Sequence, residues 1–214
     1  MPNYCSNGLL VLGKTTELKR FLDAVETVND QGFYNYSILH KLYPCPEELA
    51  NTTSGWFGDE EKQAEQTAKE QTNLAKYGYK DWYDWCCAKW STKWGDGDTY
   101  LIGQSEGHLS FSFSTAWSPP TNAFTHISTL FPTLGFLLDY EEQGNGFCGA
   151  TAFYNGEVYD SYTEDIEFPP EPTNEGGAES DDEPDYWDLV NEAYLNAKDK
   201  CSLDADEWLK EVMG

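Results

Sequence analysis

Between Trp94 and Ala197 the chain has no lysine and no arginine. Those 104 positions hold twenty aspartates and glutamates, in a protein of 214 residues with a net charge of −25. Soluble surfaces ordinarily intersperse both signs. A surface of one sign repels nucleic acid, whose phosphates need cations in place of their counterions, and it repels anionic membranes; it attracts basic proteins. The charge is also segregated, whereas a salt-adapted surface is acidic throughout. Lys14, Lys19, Arg20, Lys41, Lys62, Lys69, Lys76, Lys80, Lys89 and Lys93 all precede the gap, so the N-terminal part is nearly ordinary.

Other shortages exclude other functions. The three histidines, His40, His108 and His126, form no H-x-x-x-H pair and none lies at ligand spacing from a cysteine, so no zinc site is expected. The six cysteines (Cys5, Cys45, Cys86, Cys87, Cys148, Cys201) form no C-x-x-C motif, and adjacent Cys86–Cys87 is poor disulfide geometry. The opening Met1-Pro2-Asn3 has no charged and apolar leader, and no apolar run is long enough to cross a bilayer. Reduced thiols in a cytoplasm are the expectation. There is no phosphate-cradling glycine loop and no G-x-S-x-G elbow. Asp96-Gly97-Asp98 begins like a calcium loop but lacks the later ligands, and reads as a solvated turn. His108 with Ser114, Ser118 and Asp84, or Asp81 with Asp84 beside tryptophans, are the only catalytic groupings to weigh, and neither has the flanking residues its chemistry needs. No enzymatic activity, cofactor or metal is expected.

What the chain has is aromatic: eight Trp, fourteen Tyr and eleven Phe. Such side chains fill cores and also anchor interfaces. Gly8 to Gly13 reads as a buried strand, and Thr15-Thr16-Glu17 caps a helix with Leu18, Phe21, Leu22, Val25 and Val28 on one face. Gln31-Gly32 closes that helix ahead of a return strand, giving a βαβ-type opening. Pro44 and Pro46 impose an irregular path, and Asp59 to Lys76 reads as a polar helix marked only by Ala64, Ala68 and Leu74. Lys80 to Trp90 is an aromatic helix whose tryptophan stripe reads as core, with an exposed anchor as the alternative. Leu109 to Ser114 alternates apolar and serine, so one face is buried and the serine face is wet. A helix from Thr121 to Phe131 follows, then strands at 135–142 and 146–154, with Asn155-Gly156 as a type I′ hairpin into Glu157 to Tyr162. The whole reads as α+β with an antiparallel sheet. Phe168 to Asp185, rich in proline and acid, reads as a linker. Two amphipathic helices follow; the first aligns Tyr186, Val190, Ala193, Tyr194 and Ala197, and the second has Asp204 and Glu207 capping ahead of Trp208, Leu209 and Val212. The expected organisation is a domain over 1–167 with a helical insertion at about 57–92, a linker over 168–185 and C-terminal helices over 186–214.

Several segments resemble a family of phage and conjugative-plasmid proteins, the Api-ninety-two-like proteins, whose ferredoxin-like domain has no assigned function. They are Met1-Pro2-Asn3-Tyr4-Cys5-Ser6-Asn7, Pro44-Cys45-Pro46-Glu47-Glu48-Leu49, Tyr79-Lys80-Asp81-Trp82-Tyr83-Asp84-Trp85, Trp90-Ser91-Thr92-Lys93-Trp94-Gly95, Thr115-Ala116-Trp117-Ser118-Pro119-Pro120, and the stretch from Tyr140-Glu141-Glu142 to Gly149. They cover roughly residues 1–160 in order; the acidic region after Asp160 lies outside the resemblance. The resemblance implies a ferredoxin-like antiparallel sheet with helical insertions, and a mobile-element origin. It carries no catalytic residues.

Fourteen acids fall in the thirty-six residues from Glu157 to Glu192. Drawn as a helix the segment would span ~54 Å, or about 4 Å per charge, near the ~3.4 Å of one DNA strand. The leading expectation is a phage-encoded, DNA-mimic-like inhibitor or host-takeover factor in the host cytoplasm. It would occupy a basic, nucleic-acid-binding surface of a host protein such as a defence nuclease or a transcription component. The partner-binding candidates are Glu157, Asp160, Tyr162, Glu164, Asp165, Glu167, Asp181, Asp182, Glu183, Asp185, Tyr186, Trp187 and Asp188, with Tyr159 and Phe168 as further anchors. Exposed ion pairs alone are weak, so aromatics must supply the desolvated contacts. The alternatives are an accessory phage protein whose acids only solvate it, a hydrolase, or an RNA-binding module that stacks bases on Phe111 and Phe113.

Overall fold

The computed structural model describes residues 3–28, 32, 34–55, 58–170 and 186–200. The glycine-bounded N-terminal run is strand β1 (Tyr4–Leu12), followed by α1 (Thr15–Val25). Then come the short strands β2 (Glu26–Val28) and β3 (Tyr34–Tyr36), and four helices: α2 (Leu39–Leu42), α3 (Glu47–Ala50), α4 (Glu60–Tyr77) and α5 (Trp82–Trp90). The second half runs β4 (Gly97–Ser105), β5 (His108–Ala116), α6 (Thr121–Leu130), β6 (Gly135–Glu142), β7 (Phe147–Tyr154), β8 (Glu157–Asp165) and α7 (Tyr186–Lys200).

Six strands form one sheet in the order β4-β5-β1-β6-β7-β8, every neighbouring pair antiparallel. The four strands β4-β5-β1-β6, with α1 and α6 as their crossovers, have the ferredoxin-like arrangement; the β7–β8 hairpin widens the sheet. Both crossover helices pack on one face, because the strands alternate. Leu9 and Val11 of β1, Leu109, Phe111 and Phe113 of β5, and Phe136 and Leu138 of β6 are buried there against Leu18, Phe21, Phe124 and Ile127. Phe21 meets Phe111 and Phe136 edge-on at 6.0 and 5.6 Å, and Phe124 lies 6.0 Å from Phe153. Phe111 and Phe113 are therefore core, and no base can stack on them. The Asn155-Gly156 turn has both residues at positive φ, 47° and 88°, as a type I′ hairpin requires.

The sequence places the return strand directly after α1. It is not there: β2 pairs only with β3, in a separate two-stranded sheet. Helix α1 ends at Val25, and Val28, counted by periodicity in its buried face, lies exposed on β2. The strand that completes the crossover is β4, after an excursion through the four helices. Asp96 fastens that excursion to the sheet. Its carboxylate accepts the backbone N–H groups of Ile38 (2.8 Å) and Leu39 (2.7 Å) and the hydroxyl of Thr99 (2.7 Å). The calcium-like triplet is thus a structural clasp.

Helix α4 has the expected ends, an Asp59 side-chain cap and a left-handed Gly78. Its buried residues, however, are Gln66 and Asn73, while Ala64, Ala68 and Leu74 are exposed. Amide hydrogen bonds replace apolar burial: Gln66 donates to Thr53 O (2.9 Å) and Asn73 to Lys80 O (3.1 Å). In α5, Trp85 and Trp90 are core, and the Trp90 indole N–H donates to Tyr43 O at 2.8 Å. Residues 171–185 of the expected linker, Cys201 and the second C-terminal helix lie outside the described residues.

Candidate functional site: the open face of the sheet

The same alternation that buries one face leaves the other open. Across it the pairing registers place side chains in rows. Tyr100, Ser112, Gly8, Asp139, Ala150 and Tyr162 lie side by side from β4 to β8. The next row holds Ser114, Ser6, Glu141, Cys148 and Glu164, and the row beyond the first holds Ser110, Leu10, Leu137, Ala152 and Asp160. Small residues floor the middle of the sheet, and Tyr100 and Tyr162, 61% and 48% exposed, stand on opposite edge strands. Between them is a trough of about 570 Å³. The Asp139 carboxyl leans over Gly8 so closely that a Cβ there would lie 2.2 Å from Oδ2. Helix α7 covers the β7–β8 end of this face: Ala193 and Ala197 pack against Cys148 and Ile166.

Electrostatically the face has one sign. None of the six strands contains a lysine or arginine, and Asp139, Glu141, Glu157, Asp160 and Glu164 all point to the open side. The cations sit in helices and loops, several of them paired there: Lys19–Asp23 (2.8 Å), Arg20–Glu17 (3.0 Å), Lys76–Glu48 (2.7 Å) and Lys80–Asp84 (3.4 Å).

Of the sequence-predicted partner residues, the register puts Glu157, Asp160, Tyr162 and Glu164 together on the open face of edge strand β8. Asp165 pairs with Phe147 and faces the helices, and Glu167 is exposed just beyond the strand. Asp188 is exposed on α7, and the backbones of Tyr186 and Trp187 begin that helix. Asp181, Asp182, Glu183 and Asp185 lie outside the described residues. Tyr159 and Phe168 are exposed. Because β8 is extended, its three open-face acids lie ~10–13 Å apart, and Glu141 and Glu164 are ~10 Å apart across β7. That is a two-dimensional patch with spacing wider than the ~4 Å of the helical drawing.

Sequence reasoning passed over Asp139, Glu141, Tyr4, Tyr100 and Ile102. Asp139 and Glu141 had a signal: they continue the alternation of Gly135 and Leu137 on β6. The catalytic groupings dissolve. Ser114 donates to Gly97 O, Ser118 to Ser91 O, and Asp84 pairs with Lys80, while His108 meets Ser105 at 2.7 Å. Among the described residues no group of three His, Cys, Asp or Glu side chains is disposed to hold a metal. The described cysteines form no disulfide; burial pushes Cys5 up to about 12, and Cys86, hydrogen-bonded to Cys45, is raised while Cys45 is lowered.

Residues 89–189, from the end of α5 into α7, match the family model described as the ferredoxin-like domain in Api92-like protein. This segment resembles the Api92-like ferredoxin-like domain. The match differs in extent from the sequence reading: it begins at residue 89, leaving the N-terminal part of the resemblance outside it, and it continues through the acidic stretch after Asp160 instead of stopping before it. The Api92-like region thus includes every strand of the open face except β1. A crystal structure of a protein api92 from Yersinia pseudotuberculosis is similar, with a TM-score of 0.47 at 10% identity over 79% of this chain and 100% of that one. No curated protein matches the chain. Among the described residues no helix is long and apolar enough to cross a membrane.

Proposed function

We propose that this chain is a phage-encoded acidic protein that binds a basic, nucleic-acid-binding surface of a host protein and keeps nucleic acid from it. It works without catalysis, through the open face of its sheet. The observation that carries this reading is the complete lack of lysine and arginine from all six strands, together with five carboxylates aimed to one side of them. A merely solvating surface has no need to strip cations from the sheet while retaining them in the helical layer. Long-range attraction would steer a basic partner to the face. Exposed Tyr100, Ile102 and Tyr162 would supply apolar contact once water is expelled. The resemblance is of potential, since acids ~10 Å apart do not trace a phosphate backbone.

The experiment is capture from host lysate by the full chain and by Asp139→Lys/Glu141→Lys/Asp160→Lys/Glu164→Lys. The expected partner is a nucleic-acid-binding protein that the native chain retains at low salt and releases as salt rises or when DNA or heparin competes. The fourfold variant should lose it, while any single reversal costs little. Capture indifferent to about 0.5 M salt, where screening has collapsed to a few ångströms, would refute the proposal. A truncated control must end after Phe168, because a chain stopped at Tyr162 would cut β8 itself.

A further inference from the structure

Beside the trough, at the start of β1, is a second hollow with different chemistry. Tyr4, Trp94 and Asp98 line a pocket of about 490 Å³, with Gly95, Gly97 and Ser114 beneath. Tyr4 stands on the open face, two residues along β1 from Ser6, and is 58% exposed; Trp94, in the turn before β4, is 41% exposed. Large aromatics so exposed around a concavity are a feature of binding sites.

The walls are held from behind. Gly95 packs so tightly on the His40 imidazole that a Cβ would lie 2.2 Å from Nε2, and Asp96 is fixed by Ile38, Leu39 and Thr99. The Lys93 ammonium lies 4.6 Å from the Trp94 ring and 4.8 Å from that of Trp117, so the Trp94 indole already holds one cation outside the pocket lining. Trp117 adopts φ 70°, and its N–H donates to Asn3 O at 2.9 Å, next to Tyr4. Asp98, also at positive φ (50°), is exposed on the rim. A tryptophan in the left-handed region marks a local shape maintained at some cost.

Aromatic rings attract a cation by their negative faces, and a carboxylate beside them adds charge. No lysine or arginine lines the pocket. A guanidinium suits it better than an ammonium, because it is planar, weakly hydrated and able both to stack on an indole and to fork onto a carboxylate. We propose that this pocket is an arginine subsite: Trp94 and Tyr4 flank the guanidinium of an exposed arginine and Asp98 accepts its N–H groups. The inference rests on the proposed binding of a basic partner and names the side chain by which that partner is anchored.

The test needs no partner. The indole N–H signal of Trp94, assigned with Trp94→Phe among the eight tryptophans, is followed in the labelled full chain during titration with N-acetylarginine amide. Up to about 50 mM is needed, since one side-chain anchor binds in the millimolar range. The expected result is a saturable shift, absent with the isosteric, uncharged citrulline analogue and weakened about tenfold by Tyr4→Ala or by Asp98→Asn in chains that keep the other indole signals in place. No shift, or an equal shift from the citrulline analogue, overturns the proposal. The fourfold reversal on β6 and β8 separates the two ideas. If the pocket is wrong, arginine is ignored even where capture is intact. If the open-face reading is wrong, arginine still binds while capture survives the reversal.

Discussion

Gly149→Ala should loosen the edge strand on which the proposed site depends. On the helical face Tyr140, Gly149 and Thr163 form one cross-strand row, and the Tyr140 ring lies over the glycine to reach Thr163, Oη to Oγ1 at 2.8 Å. A methyl group at 149 would come within 2.4–2.5 Å of Tyr140 Oη and Cζ and 2.5 Å of Tyr162 O. The ring can swing away, at the loss of its hydrogen bond, about 1 kcal/mol. The carbonyl is backbone, so β8 itself must shift; overpacking of this kind costs typically ~1–3 kcal/mol. Gly149→Ala should therefore destabilise by ~2–4 kcal/mol, a fall in Tm of about 4–16 °C for a chain of this length. Tyr140→Phe, which removes only the hydroxyl, should cost about 1 kcal/mol, and the double variant should cost less than the sum because both act on one contact. Urea unfolding gives the energies, and amide exchange should show protection lost first in β8. A Gly149→Ala chain within 0.5 kcal/mol of the native one, with β8 exchange unchanged, would refute the packing described.

Three further outcomes are expected. Asp96→Ala removes a charged acceptor from two backbone N–H groups beside fully buried Ile38 and Leu39, and should cost ~2–3 kcal/mol by urea midpoint, with Asp96→Asn milder. Phe111→Ala should cost ~3–5 kcal/mol, while Ser112→Ala on the open face should stay within about 0.5 kcal/mol. His126, stacked on Tyr43 at 3.8 Å, is held below its ordinary 6.5 by burial and then by Lys89. A depressed folded value means its contribution is full above 6.5 and is lost as pH falls through that folded value, because the unfolded chain takes up the proton first. Stability measured from pH 7.5 down to 5 should therefore fall relative to a His126→Phe chain; parallel curves would exclude the effect.

The legible parts of the fold were those where alternation or helical spacing faces a single environment. Leu109 to Ser114 displayed both faces of the sheet in six residues, and Asn155-Gly156 announced its turn through a backbone requirement that few residues meet. Helix α4 defeated the apolar pattern because its anchors are amides, whose burial depends on distant carbonyls at Thr53 and Lys80. The β2–β3 detour was hidden for a similar reason: a three-residue strand carries too little periodicity to say which sheet it joins. For the proposed site, the charge gap marks the second half of the chain but does not single out Asp139 and Glu141. Those two share a face with β8 only through pairing across β7, and that is a long-range relation no local pattern records.

Both outer strands of the sheet are irregular. Strand β4 is bulged between Gly97 and Tyr100 and again between Leu101 and Gly103, and the β7–β8 ladder slips at Ala152–Phe153. A kinked border offers no straight row of amide and carbonyl groups for another strand to zip onto, and a second molecule would approach with the same sign of charge. Those two obstacles stand at the same borders where Tyr100, Ile102 and Tyr162 are held out in water.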